Sequence, residues 1–250
     1  MEHENKSIFT KTHIVMILAL ISCFLWGSAF PSVKIGYKLF SIGVQDTYEK
    51  ITFAGYRFFL SSMMIFIFCI ATGKSLKIKK TDIHKVALLG LIQTTTQYIF
   101  FYIGISNTSG TKGSILAATS TFFSVVLAHF FYDEDRLTTR KIIGVILGFI
   151  GVVIVNISGN KVQSGFTFTG EGFVLISSLV GALAGIYTKR IAKNISAFAI
   201  SGYQLFIGSL LLILIGFLGG VKGLNSTIKG YSLLLYSGFI SAAAFSIWTI

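Results

Sequence analysis

The stretch "LISCFLWGSAFPSVKIGYK", Leu20 to Lys38, decides how this chain is built. It holds Pro31, the only proline in the sequence, inside a run that otherwise reads as buried helix. It also returns: "LISSLVGALAGIYTKRIAK", Leu175 to Lys193, repeats its Leu-Ile-Ser, one alanine and both lysines. Two more stretches return in the same order. "GYRFFLSS" (Gly55 to Ser62) matches "GYQLFIGS" (Gly202 to Ser209), and "GLIQTTTQYI" (Gly90 to Ile99) matches "GFISAAAFSI" (Gly238 to Ile247). The displacements agree closely: Leu20 to Leu175 is 155 residues, Gly55 to Gly202 is 147 and Gly90 to Gly238 is 148. Each match is weak alone, but three in order at nearly one displacement describe a duplicated chain.

The solvent for that duplicated chain follows from composition. The sequence is 53% hydrophobic and 12% charged, about half the charge of an ordinary soluble domain. All nine acidic residues lie outside the cores of the long apolar runs. Eight runs, roughly 14–33, 51–72, 83–105, 111–132, 141–157, 171–189, 199–219 and 232–250, approach the length a tilted helix needs to cross about 30 Å of hydrocarbon. They are rich in Leu, Ile and Phe and do not alternate, so they read as helices. The expected fold is an all-α, polytopic membrane bundle with the lipid bilayer as its surroundings.

A net charge of +12 could suggest a nucleic-acid partner, but the basic residues fall in short loops and form no stripe on a soluble domain. Their distribution sets orientation instead. Thirteen lie at one set of ends, among them Lys77, Arg140 and Lys193, and seven at the other, among them Lys34, Lys161 and Lys222. The richer side is expected to face the cytoplasm, which puts the N-terminus inside a cell membrane. The first run also resembles a lipoprotein signal, with Lys11 before it, "LISC" at Leu20 to Cys23, and a cleavage-like Gly27-Ser28-Ala29. Its internal counterpart argues that it is retained. Cys23 and Cys69 lie in apolar runs and indicate neither a disulfide framework nor a metal site.

The first repeat unit, 14–157, contains five runs. Five is odd, so the second unit, 171–250, must enter the membrane from the opposite side, an inverted repeat of the kind that builds secondary transporters. Ile250 corresponds to Tyr102, so only three of five helices are present in the second unit. The expectation is a fragment of a ten-span protein or a truncated product.

At this level the chain resembles the EamA-like branch of the drug/metabolite transporter superfamily. The resemblance rests on "FLWGSAF" in run one, "GYRFFLSS" with Arg57 in run two, and the segment from Ser109 to Val155. In that segment Asp135, Arg136, Leu137 and Thr138 precede a glycine-rich run with Gly144, Gly148 and Gly151. Two positions depart from the family pattern: the acidic residue is usually glutamate, and run four often carries a mid-helix proline where Thr121-Phe122-Phe123 stands here. The resemblance implies transport of small organic metabolites, often export, without ATP hydrolysis.

The residues themselves suggest a site. At helical spacing Gly90, Gln93, Thr94 and Gln97 share a face of run three. Gly113, Ala117, Ser120, Thr121 and Ser124 do so in run four, and run six adds Ser177 and Ser178. Single Ser and Thr residues usually join helices, but two glutamines one turn apart have several groups each to satisfy. A water-accessible cavity is the favoured reading, and pure packing is the alternative. Span eight would face run three with Ser241 and Phe245. Pro31 is expected to act as a hinge that bends span one and frees the Gly27 carbonyl beside Trp26. The expected solute is a small amphipathic molecule such as an amino acid.

Arg57, the basic residue well inside a span, is expected to snorkel outward near Asp46 or Glu49, because its repeat counterpart Gln204 lies in a helix that reads as peripheral. An anion contact for substrate is the alternative. His129 is expected at the interface. The three glycines of run five form a close-packing face, which admits a homodimer. No metal-ligand motif, paired intramembrane carboxylate, phosphate-loop spacing or nucleophile elbow is present, so neither an enzyme nor a cofactor is expected. Two function classes remain: a secondary transporter, and a non-transporting or truncated membrane protein acting as a helix-packing partner.

Overall fold

The computed structural model of the chain describes residues 12–132, 137–157 and 166–249. Among them the chain forms eight helices: α1 Thr12–Leu39, α2 Thr47–Thr72, α3 Lys80–Ser106, α4 Gly110–Phe131, α5 Thr139–Ile157, α6 Phe168–Ile191, α7 Ala197–Leu218 and α8 Ile228–Thr249. Each apolar run of the sequence coincides with one of them. Among the described residues α1 to α4 and α6 to α8 are long and apolar enough to cross a membrane.

The helix ends follow local chemistry. Ser109 and Ser196 cap α4 and α7, each hydroxyl accepting a backbone N–H three residues on, at 3.2 Å. Gly73, at φ 67°, closes α2 in the left-handed conformation that glycine adopts without penalty. Pro31 does not interrupt α1, which stays helical from Thr12 to Leu39, and Pro31 itself faces outward. In α4 the helix likewise runs unbroken.

Two helices contain a π turn, which the sequence did not announce. In α3 it spans Gly90–Thr96, and in α6 it spans Phe168–Gly172. Three consecutive β-branched threonines, Thr94 to Thr96, crowd an ordinary α-helix. A wider turn also leaves a carbonyl short of its partner, and Thr95 Oγ1 covers it, donating to Gly90 O at 3.3 Å and to Gly208 O at 3.2 Å. Single π turns recur at functional sites.

The bundle centres on α2 and α7, its most extensive helix pair. α8 packs on α1 and α2, while α3 packs on α6 and α7. α4 lies on α6, and α5 lies chiefly on α4. Glycines allow the close approaches. A methyl group added at Gly55 in α2 would lie 2.7 Å from Ile213 Cγ1, and one at Gly202 in α7 would lie 2.6 Å from the Phe66 ring. α7 is therefore central, with Gln204, Leu205 and Leu212 fully buried, rather than peripheral as its sequence read.

The glycine face of α5 behaves otherwise. A methyl group at Gly144, Gly148 or Gly151 would meet nothing within 4 Å, so the close packing expected of these glycines does not occur among the described residues. Gly144 and Gly148 instead line an apolar groove of about 400 Å³ between α4 and α5.

Candidate functional site

Two polar clusters lie in the membrane-spanning core. The first joins α2, α3 and α8. Arg57 is 1% exposed. Its Nε donates to Ser237 O at 3.2 Å and to Ser241 Oγ at 2.9 Å, and its Nη1 donates to Tyr102 Oη at 2.9 Å. Its Nη2 has no partner among the described residues. This corrects the snorkelling expectation: the guanidinium turns inward because α8, some 180 residues away, supplies acceptors that no local pattern reveals.

Aromatic rings pack beside this cluster. Phe58 packs against Tyr98 with centroids 4.3 Å apart, and the Arg57 guanidinium carbon lies 5.4 Å from the Phe58 centroid. Tyr37 donates from its hydroxyl to Tyr102 O at 3.1 Å. Phe245 meets Phe58 and Tyr98, and half-buried Trp26 stands edge-on to Phe245 at 5.1 Å.

The second cluster surrounds the π turn of α3, between α6 and α7. Gln93 Oε1, Thr94 Oγ1 and Gln97 Oε1 are buried without partners among the described residues, as are both amide atoms of Gln204. Gly208 gives Thr94 its room: a methyl group there would lie 2.3 Å from Thr94 Cβ. Gly181 does the same for Gln97, at 2.7 Å from Nε2. A buried polar atom left unpaired costs about 1–3 kcal/mol, so five such atoms around one turn mark a place that can take polar ligands or water. Sequence reading found three of these residues and missed Gln204, although its alignment with Arg57 was a usable signal.

The other expected site residues fall elsewhere. Trp26, Ser241 and Phe245 join the Arg57 cluster, where Phe245 meets Tyr98 of α3. Gly90 approaches Gln204 O on α7. Gly27 is exposed, with open space beside it. Ser177 is buried in α6, and its neighbour Ser178 donates to Leu116 O at 3.3 Å. Ser120 is half-buried, and its carbonyl accepts from Ser124 Oγ at 2.8 Å. Thr121 and Ser124 are exposed, and Thr121 lines the α4–α5 groove. His129 is half-buried near the end of α4, its Nδ1 accepting from Leu137 N at 3.2 Å.

A third polar group, at one end of the bundle, had no sequence signal beyond the helix start. Glu171 is 7% exposed at the head of α6. Its Oε1 accepts from Thr108 Oγ1 at 2.7 Å and lies 3.5 Å from Lys112 Nζ, while Oε2 accepts from Thr167 N and Oγ1, both at 2.7 Å. Lys34 donates to Thr108 O at 3.1 Å, so α1, α4 and α6 are tied together there. Among the described residues no cluster of His, Cys, Asp or Glu could hold a metal ion.

The sequence profile of the EamA-like transporter family matches residues 13–157. The chain belongs to that family. It is 26% identical over 195 residues to an uncharacterized transporter of Archaeoglobus fulgidus, a match covering 78% of this chain and 64% of that protein. It is 24% identical over 234 residues to the uncharacterized transporter YdfC of Bacillus subtilis, covering 92% of this chain and 71% of that one. The chain thus accounts for less than two thirds of the archaeal relative's length. One solved crystal structure superimposes with a TM-score of 0.75, covering 96% of this chain and 79% of the other at 13% identity, a likeness of fold alone. An EamA-like sequence with seven membrane-capable helices is a multi-pass membrane protein of a transporter family.

Proposed function

We propose that the chain forms the core of a secondary transporter that moves small amphipathic organic metabolites, amino-acid-like solutes among them, outward across the cell membrane by alternating access. In this reading the N-terminus is cytoplasmic, and 14–157 and 171–250 are inverted repeat units that rock against each other. Several contacts support the repeat. Gly55 meets Leu212 and Ile213 while Gly202 meets Ile65 and Phe66, the same pair under a shift of 147 residues. Gly90 meets Gln204 and Gly208 while Gly238 meets Arg57 and Ser61. Trp26 meets Phe245 while Gly181 meets Gln97.

Under that exchange the two polar clusters are counterparts, Arg57 with Ser241 answering Gln204 with Gln93. The observation that carries the function is the second of them: five unpartnered polar atoms at a π turn, on the seam where α3 of one unit meets α6 and α7 of the other. Polar groups at such depth are costly unless they serve a solute path. Gln93, Thr94, Gln97, Ser177 and Gln204 would bind polar groups of the solute, and Trp26, Gly27, Ser241 and Phe245 would border its apolar part. Ser120, Thr121 and Ser124 on α4 complete the proposed path, with Pro31 as hinge.

The test is efflux and uptake of labelled amino acids in reconstituted vesicles, with Gln93→Ala and Gln97→Ala beside the wild type. Loss of one glutamine–solute bond should weaken affinity roughly 5- to 150-fold, the equivalent of about 1–3 kcal/mol. Wild-type affinity in both variants would mean that the glutamines only hold helices. A second reading, a helix-packing partner that associates through α5 with a second copy, draws on that helix's open glycine face. Absence of transport by wild-type vesicles, with a dimer in detergent, would favour it.

A further inference from the structure

We propose that Arg57 is a binding site for a carboxylate, so that the solute carries one. The inference deepens the transporter reading and rests on it for access from the solute path. It begins from a charge imbalance. A guanidinium presents five N–H donors in a planar fork. Here Nε–H serves Ser237 O and Ser241 Oγ, and one Nη1 hydrogen serves Tyr102 Oη. Every one of these acceptors is neutral. Among the described residues the ion pairs are Lys85–Asp82 and Lys112–Glu171, and neither includes Arg57.

A cation this deeply buried is expensive without an opposite charge. The Phe58 ring at 5.4 Å offsets part of that cost, but it leaves the free edge of the fork untouched. That edge carries Nη2, which has no partner among the described residues, beside Nη1. Two parallel N–H groups at one end of a guanidinium match the two oxygens of a carboxylate.

The surroundings fit the remainder of such a solute. Tyr98 and Phe245 stand between the guanidinium cluster and Trp26, which is half-buried beside the exposed Gly27. A row of rings admits an apolar group by turning about χ angles, without breaking a backbone hydrogen bond. The site thus favours a carboxylate attached to a hydrophobic or aromatic body. The repeat adds a contrast: the counterpart of Arg57 is the neutral Gln204, so the two halves of the seam differ by one positive charge.

The test compares three probes of similar shape on the full chain in detergent, by calorimetry: phenylacetate, 2-phenylethanol and 2-phenylethylamine. Phenylacetate should bind at least tenfold more tightly than either of the others. Equal affinity for the acid and the alcohol would overturn the proposal, and that comparison needs no variant. Arg57→Lys keeps the charge but loses the fork, so it should retain part of the preference. Arg57→Gln should abolish it. A preference that survives intact in Arg57→Gln overturns the assignment to this residue. Carboxylate preference without any transport in vesicles supports this site while removing the transporter reading. Transport of solutes without carboxylate preference does the reverse.

Discussion

Gly55 and Gly202 hold reciprocal places in the contact between α2 and α7. A methyl group at the first would lie 2.7 Å from Ile213, and one at the second 2.6 Å from Phe66. At Gly55 the Ile213 backbone N would also lie 3.1 Å away, and at Gly202 the group meets a ring, so the two helices approach closely. The pair Gly90 and Gly238 is reciprocal in sequence but not in tolerance. At Gly90 the added group would lie 2.8 Å from Gln204 O and 3.3 Å from Gly208 N, both backbone atoms. At Gly238 the nearest atom is Leu60 Cβ at 3.2 Å.

The first prediction follows from that difference. Gly90→Ala forces α3 away from α7 and should cost about 1–3 kcal/mol, the usual penalty of overpacking. Gly238→Ala should fall within about 1 kcal/mol of wild type, since the helix gains from losing a glycine. Thermal unfolding in detergent measures both. Equal losses would mean that the π turn at Gly90–Thr96 adapts as readily as the regular helix α8.

The second prediction concerns orientation. Ser196 Oγ donates to Ser75 O at 3.1 Å, which brings the loops after α2 and after α6 to one end of the bundle. Ser226 Oγ donates to Leu39 O at 2.6 Å, which brings the loops after α1 and after α7 to the other. The first end carries the denser Lys and Arg set, so it should be cytoplasmic. In intact cells, cysteines at Lys77 and Lys193 should resist a membrane-impermeant thiol reagent, and one at Lys222 should react. Reaction at Lys77 would invert the assignment. The corresponding expectation for Lys161 falls outside the described residues.

These two predictions differ in how much of them the sequence contained. The helices were legible, because long apolar runs need no tertiary information. Arg57 was not. Its acceptors Ser237 and Ser241 lie on α8, and a local reading saw only a charge near a span end. Gln204 was hidden by the same blindness, since α7 is apolar enough to read as lipid-facing although α2 and α3 cover it. The π turn in α3 had a cue in its threonine run, but that pattern is equally at home on a helix interface. The glycines of α5 gave a pattern without a partner.

The third prediction tests the tie around Glu171. Glu171 accepts from Thr108 and Thr167 and pairs with Lys112 at 3.5 Å, while Lys34 holds the Thr108 carbonyl. Hydrogen bonds to a charged group contribute about 1.5–3 kcal/mol each. Glu171→Gln keeps the shape and one acceptor oxygen, so it should lower stability by about 1–2 kcal/mol. Glu171→Ala also strands Lys112 and both threonines and should cost more. If Glu171→Gln unfolds at the wild-type temperature, the charge is not what holds α4 and α6 together.

The last prediction concerns Gln204. Its side chain is fully buried, and neither amide atom has a partner among the described residues. A glutamine in that state is a poor way to fill space in a helix interface, because leucine has similar volume and nothing to satisfy. If Gln204 serves a solute path, replacing it should separate stability from function. Gln204→Leu is therefore expected to raise the unfolding temperature, by the equivalent of about 1–3 kcal/mol, as the unpaired amide disappears. The same change should slow transport in vesicles, since Gln93, Thr94 and Gln97 then face an apolar wall across the seam. Thermal unfolding and vesicle flux on one preparation decide it. A variant that is less stable and transports normally would show that the amide is paired within the working protein and supports packing alone.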